Sequence, residues 1–179
     1  MNRAMPRYQR ALVPLDGSPV AESIIPFIVD IAGPLDMEIV LVRVVTPVVA
    51  EAGDAIPELI QEDLAARTTE ARDYLTRAAA DLWQRGIRVQ VRVRTGTPVQ
   101  EILASSRECA ADLIAMTTHG RSGLSRLVFG SVAEAVLRLA DIPVLVMRLT
   151  AAEAHARAAH DARLLAAADE RRQLEVTSK

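Results

Sequence analysis

Short β-branched and aliphatic runs alternate along the chain with longer stretches whose apolar positions recur at helical spacing. Arg10 to Leu15 is an apolar run that ends at Asp16-Gly17-Ser18, a turn and helix-start signal. Val20, Ile24, Phe27, Ile28 and Ile31 follow at helical spacing, and Gly33-Pro34 is expected to stop that helix. Glu38 to Val45 is nearly continuously apolar, the pattern of a strand covered on both faces, and Thr46 to Pro57 reads as a loop of small residues bounded by prolines. Ile60, Leu64, Ala71, Tyr74, Leu75, Ala78 and Leu82 fall on one face of a helix from Glu58 to Arg85, which Gly86 ends. Ile87 to Arg94 alternates strictly, with Val89, Val91 and Val93 against Arg88, Gln90, Arg92 and Arg94, and so predicts a half-buried strand at a sheet edge. Gly96-Thr97-Pro98 opens a helix, with Thr97 as cap and Pro98 in the first turn. Asp112 to Thr117 is a second buried strand, His119 to Gly130 a glycine-containing loop, Ser131 to Ala140 a helix and Pro143 to Met147 a last strand.

The order β-α-β-α-β-α-β-α-β requires right-handed crossovers between parallel strands, and a doubly wound α/β sheet is the economical solution. A ligand site then belongs past the carboxyl ends of the strands, where the strand order switches. The α/β domain is expected over residues 1–149. Residues 150–179 are alanine-rich and charged, lack Gly and Pro, and read as a helical extension with too little apolar surface for its own core.

Composition narrows the function classes. With 50% hydrophobic and 25% charged residues among 179, the chain has material for a real core. Aromatics at 3% and a net charge of −2 argue against a nucleic-acid-binding surface. Charges interrupt every apolar run before the roughly 18 residues a bilayer span needs, and Pro14, Asp16 and Glu22 spoil any signal-peptide core, so a soluble cytoplasmic protein without membrane attachment is expected. The single cysteine, Cys109, leaves no intramolecular disulfide and no multi-cysteine zinc site.

Neither the P-loop pattern nor the dinucleotide G-x-G-x-x-G is present. What stands out is Met116-Thr-Thr-His-Gly120-Arg-Ser-Gly123, running on to Gly130-Ser131-Val132 between a buried strand and a helix. Glycines admit close backbone approach, and Ser131 with the free N–H groups of the helix start makes an anion site; a plain strand–helix connection explains the same residues. The segment Thr118-His-Gly-Arg-Ser-Gly with Gly130-Ser131-Val-Ala-Glu, closing on Pro143-Val-Leu-Val, resembles the signature of the universal stress protein family. Val13-Pro14-Leu15-Asp16-Gly17-Ser18 and Gly96-Thr97-Pro98 are similar to other motifs of that family, and the likeness covers about residues 8–148 in order.

The resemblance implies a Rossmann-like five-stranded parallel sheet in the order 3-2-1-4-5 with helices on both faces. It also implies a homodimer and, in one branch, bound ATP. That branch carries G-x-x-G, nine residues, then G-[ST]; Gly120 and Gly130-Ser131 match, whereas Thr117 stands at the first glycine position. By resemblance Asp16 and Val44 lie near the adenosine and Met116 against the base. Thr117, Gly120, Arg121, Gly123, Gly130, Ser131 and the Val132 amide complete the candidate nucleotide site, with Mg2+ or Mn2+ accompanying the phosphates.

Several of these residues have plainer explanations. Asp16 suits an Asp-Gly turn with helix-capping duty, and Ser131 suits an N-cap with or without a phosphate. Arg121 and Arg126 read as solvated arginines, His119 as a loop histidine with no paired carboxylate, and Cys109 as half-buried packing. No catalytic residue and no metal ligand is assigned. The reading is a nucleotide-binding module for stress response or regulation, at most a slow ATPase, that dimerises through residues 144–147. The alternative is a nucleotide-free dimeric interaction protein of the same family.

Overall fold

The computed structural model describes residues 8–47, 57–118 and 130–148. The extension expected over 150–179 lies outside them, as does the loop 119–129. Five strands form one parallel sheet in the order β3-β2-β1-β4-β5. They are β1 (Arg10–Pro14), β2 (Glu38–Val45), β3 (Val89–Thr95), β4 (Leu113–Thr117) and β5 (Val144–Met147). This is the order that the family resemblance implies.

The three inner strands carry the apolar runs. Leu12, Ile39, Val40, Leu41, Val42 and Ile114 have no exposed surface, and each such side chain contributes roughly 1.5–3 kcal/mol by leaving water. Alternate residues divide between two cores. Ala11, Val13, Ile39 and Leu41 pack with α2 (Ile24–Leu35) and α3 (Pro57–Gln84), while Leu12, Val40, Val42, Ile114 and Met116 pack with α4 (Pro98–Glu108) and α5 (Ser131–Leu139). Helices therefore cover both faces.

The first helical segment departs from its pattern. A single turn, α1 (Pro19–Glu22), ends at Ser23, and α2 starts afresh. Pro26 has no N–H for the carbonyl of Glu22, so one continuous helix would lose that bond; Ser23 closes the gap, its N–H reaching the Pro19 and Val20 carbonyls and its Oγ donating to Val20 O at 2.6 Å. Gly33-Pro34 does not stop α2 either. The helix runs to Leu35 and ends where Asp36 turns left-handed at φ 52°, because a proline in the last turn forfeits only one ladder bond.

Both edges can be read from the ladder. Ile39 N–H donates to Arg88 O and Gly96 N–H to Val45 O, so the even-numbered residues of β3 bond to β2 and Val89 presents its carbonyl outward. Trp83 of α3 covers that carbonyl, its Nε1 donating at 3.0 Å. On the far side Ile114 N–H donates to Pro143 O and Thr118 N–H to Met147 O. Val144 and Val146 therefore turn their backbone groups to the open edge.

Candidate functional site

A cavity of about 290 Å3 opens past the carboxyl ends of β1, β2 and β4, on the face covered by α4 and α5. This is the point where the strand order switches from β1 to β4, the position expected for a ligand in an open α/β sheet. Of the ten residues predicted from sequence, Asp16, Val44, Met116, Thr117, Gly130, Ser131 and Val132 line it together. Gly120, Arg121 and Gly123 lie outside the described residues, as do His119 and Arg126.

The walls are mainly apolar. Leu15, Val42 and Val44 come from strand ends, Ile102 and Pro98 from α4, and Met116 from β4. The polar groups come from two stretches of the chain. Asp16 sits in the turn after β1, where its Oδ1 accepts the Ser18 N–H at 2.9 Å. It does not cap α1: that role falls to Ser18, whose Oγ accepts from Ala21 N–H at 3.1 Å. Asp16 thus fixes the turn ahead of the helix with one oxygen.

The second stretch is the start of α5. Gly130, not Ser131, is the N-cap, and it brings no side chain to bond the first turn. The first intrahelical bond is Glu134 N–H to Gly130 O at 2.9 Å, so the Ser131, Val132 and Ala133 N–H groups have no partner within the helix. All three residues line the cavity. Gly130 N–H itself donates to Thr118 O at 2.6 Å, which joins the helix start to the end of β4. Thr97 holds the N-cap position of α4 as predicted but makes no side-chain cap bond.

Thr117 is the last residue of β4, paired with Met147, and is buried. A strand residue there needs no glycine conformation. Cys109 is buried rather than half-buried, at the end of α4, its thiol 3.8 Å from the Ser106 carbonyl. Sequence reasoning missed Pro14, Leu15, Ala21, Val42, Pro98, Ile102, Thr118 and Ala133 as lining residues. For Pro14, Leu15, Pro98, Thr118 and Ala133 the signal was present, since all belong to the motifs quoted above; Ala21, Val42 and Ile102 look like ordinary core. Among the described residues no group of three or more His, Cys, Asp or Glu could hold a metal ion, and no helix is long and apolar enough to cross a membrane.

The sequence profile of the universal stress protein family matches residues 7–148. The chain belongs to that family. A universal stress protein of Methanocaldococcus jannaschii is 34% identical over 143 residues, 79% of this chain and 82% of its own length. The chain also matches a mycobacterial universal stress protein at 32% identity, covering 80% of this chain but only 46% of that protein. Among solved structures, universal stress protein UspA from Lactobacillus plantarum superposes with a TM-score of 0.70 at 23% identity, over 80% of this chain and 100% of that one. Two more share the fold, one a universal stress protein in complex with cAMP (TM-score 0.54, 23% identity, 80% of this chain and 99% of that one). The other is a family protein from Arabidopsis thaliana with AMP bound (TM-score 0.55, 19% identity, 81% of this chain and 94% of that one).

Proposed function

We propose that the cleft binds an adenine nucleotide, ATP with Mg2+ or Mn2+ in the fullest form of the reading, and that the protein works in stress response or regulation in the cytoplasm. One observation carries this: an apolar slot at the strand switch is lined both by Asp16 and by the first turn of α5, whose N-cap Gly130 brings no side chain. A base fits between aliphatic walls such as Val44 and Met116, a ribose hydroxyl suits an acceptor such as Asp16, and a phosphate suits free helix N–H groups. The volume is close to the lower end of small-molecule sites, which suits a nucleoside with its phosphates toward the helix start. The AMP and cAMP complexes of two structural neighbours support the same ligand class. The divalent ion would arrive with the phosphates, since the described residues offer no acidic cluster of their own.

The nucleotide is read as a bound signal, turned over slowly at most. We assign this role to residues 1–149 and treat 150–179 as an appended extension. Calorimetry with adenosine, AMP, ADP and ATP, each with and without Mg2+ or Mn2+, tests the reading, together with mass spectrometry of nucleotide released on denaturation. Gly130→Val, which places a branched side chain at the cleft, should weaken binding by at least about tenfold, ~1.4 kcal/mol. Absence of adenine-nucleotide affinity in the wild type would sink the proposal. We further propose that two copies pair through β5, a reading favoured by its outward-facing backbone groups.

A further inference from the structure

The turn that carries Asp16 rests on an arginine that the nucleotide reading does not use. We propose that Arg43 is a positioning residue for the cleft. Its guanidinium, clamped between Gly17 and the Tyr74 ring, holds the Asp16-Gly17-Ser18 turn so that Asp16 is presented to the ligand. The ligand half of this inference rests on the nucleotide reading; the clamp does not.

Gly17 adopts φ +86°, and a Cβ built there would lie 3.3 Å from Arg43 Nη2. The glycine therefore serves both the left-handed turn and the close approach of the guanidinium. On its other side Arg43 Cζ stands 4.8 Å from the Tyr74 ring centroid, within cation–π range. Nη2 is also 3.8 Å from Glu70 Oε1.

Arg43 occupies an unusual row of β2. Leu41 and Val45, two residues either side, are buried, so a cation in that row requires partners to offset its lost hydration. Its chain neighbours Val42 and Val44 point through the opposite face and line the cleft. Arg43 is thus fixed to the back of the cleft wall while touching the turn at its rim. Tyr74 is a fit surface for it. The hydroxyl is buried beside the Glu22 carboxylate without reaching hydrogen-bond geometry, and burial first, then the charges of Glu22 and Asp16, push its pKa up and keep the ring neutral.

Amide hydrogen exchange on the ligand-free protein tests the clamp directly. The reporters are Ser18 N–H, which donates to Asp16, and Ala21 N–H, which donates to Ser18. Arg43→Ala should speed both by about tenfold while the amides of Leu12 and Leu41 keep wild-type protection. Arg43→Lys keeps the charge but loses the plane, and should show most of the same acceleration. Adenosine and AMP should then lose affinity by the same factor in Arg43→Ala, and adding it to Asp16→Asn should cost nothing further. Unchanged exchange at Ser18 in Arg43→Ala overturns the proposal whatever binds. So does a loss confined to AMP, which would make Arg43 a phosphate contact. Faster exchange in a protein whose wild type binds no adenine nucleotide would uphold the clamp and reject the nucleotide reading instead.

Discussion

Along β3 the polar half of the alternation is tied down residue by residue. Arg88 reaches Asp36 at 3.4 Å, Gln90 donates to Glu38 at 2.6 Å, and Arg94 binds Glu101 at 2.9 Å and both oxygens of Glu108 at 3.0 Å. Trp83 occupies the outward carbonyl of Val89. Along β5 the sequence is Val-Leu-Val-Met, every residue is half-buried, and no charge interrupts it. Both strands lie at an edge, and both solve the same problem of unpaired backbone groups. One edge closes itself with ion pairs and an indole, whereas the other is four residues long and turns the Val144 and Val146 backbone groups away from β4. An alternating pattern with arginines therefore tells where a sheet ends, and an apolar edge tells where it is able to continue.

The sharpest way to break that contrast is at β5. Val146 faces its N–H outward, so Val146→Pro removes an edge donor while sparing the ladder to β4. If two copies pair there, analytical ultracentrifugation should show the dimer weakened by about a hundredfold or more, ~2.7 kcal/mol. A wild type that is monomeric at micromolar concentration, or a proline variant that stays folded and dimeric, rejects the pairing.

A smaller effect is expected at the closed edge. Arg94→Ala removes a bidentate contact and a second carboxylate partner, and should lower urea-unfolding stability by about 1 kcal/mol, with Arg88→Ala, which loses exposed contacts to Asp36 alone, near zero. Equal losses at the two arginines would mean that the network geometry adds nothing.

The smallest effect concerns acid. Burial alone would raise the Glu38 pKa, but hydrogen bonds from Arg10 and Gln90 and the nearby arginine charges outweigh it and hold it below 4.5. A carboxylate lowered on folding stabilises at pH above its unfolded value, and that contribution disappears as pH falls through the folded value. Glu38→Gln should therefore flatten the stability profile below about pH 4.5 and cost a few tenths of a kcal/mol above it, measured by thermal unfolding across pH. An unchanged acid limb would show that the Arg10–Glu38 contact at 2.6 Å does not survive in solution.

The doubly wound class was legible because crossover rules leave few topologies for five apolar runs separated by helices, and the strand order came with the family resemblance of the motifs. The start of α5 was legible as a site because glycine, serine and a preceding strand occur together. The exact caps were not. Asp16 and Ser18, two apart, and Gly130 and Ser131, side by side, all suit a helix start, and which one caps depends on where the neighbouring strand delivers the chain. The break at Ser23 was hidden because apolar spacing continues across it, while the missing N–H of Pro26 acts on the backbone alone. Arg43 was invisible for another reason. Within the run Glu38 to Val45 it looks like an interruption, and only the turn folded over it gives the charge a task.

Trp83 also labels the closed edge optically. It is the chain's single tryptophan, and its indole N–H is bound to a β3 carbonyl, so its emission follows the docking of α3 on that strand. The cleft and β5 have no indole within them. Intrinsic fluorescence would accordingly track fraying at the third strand, with ligand entry and pairing at the fifth left to other probes.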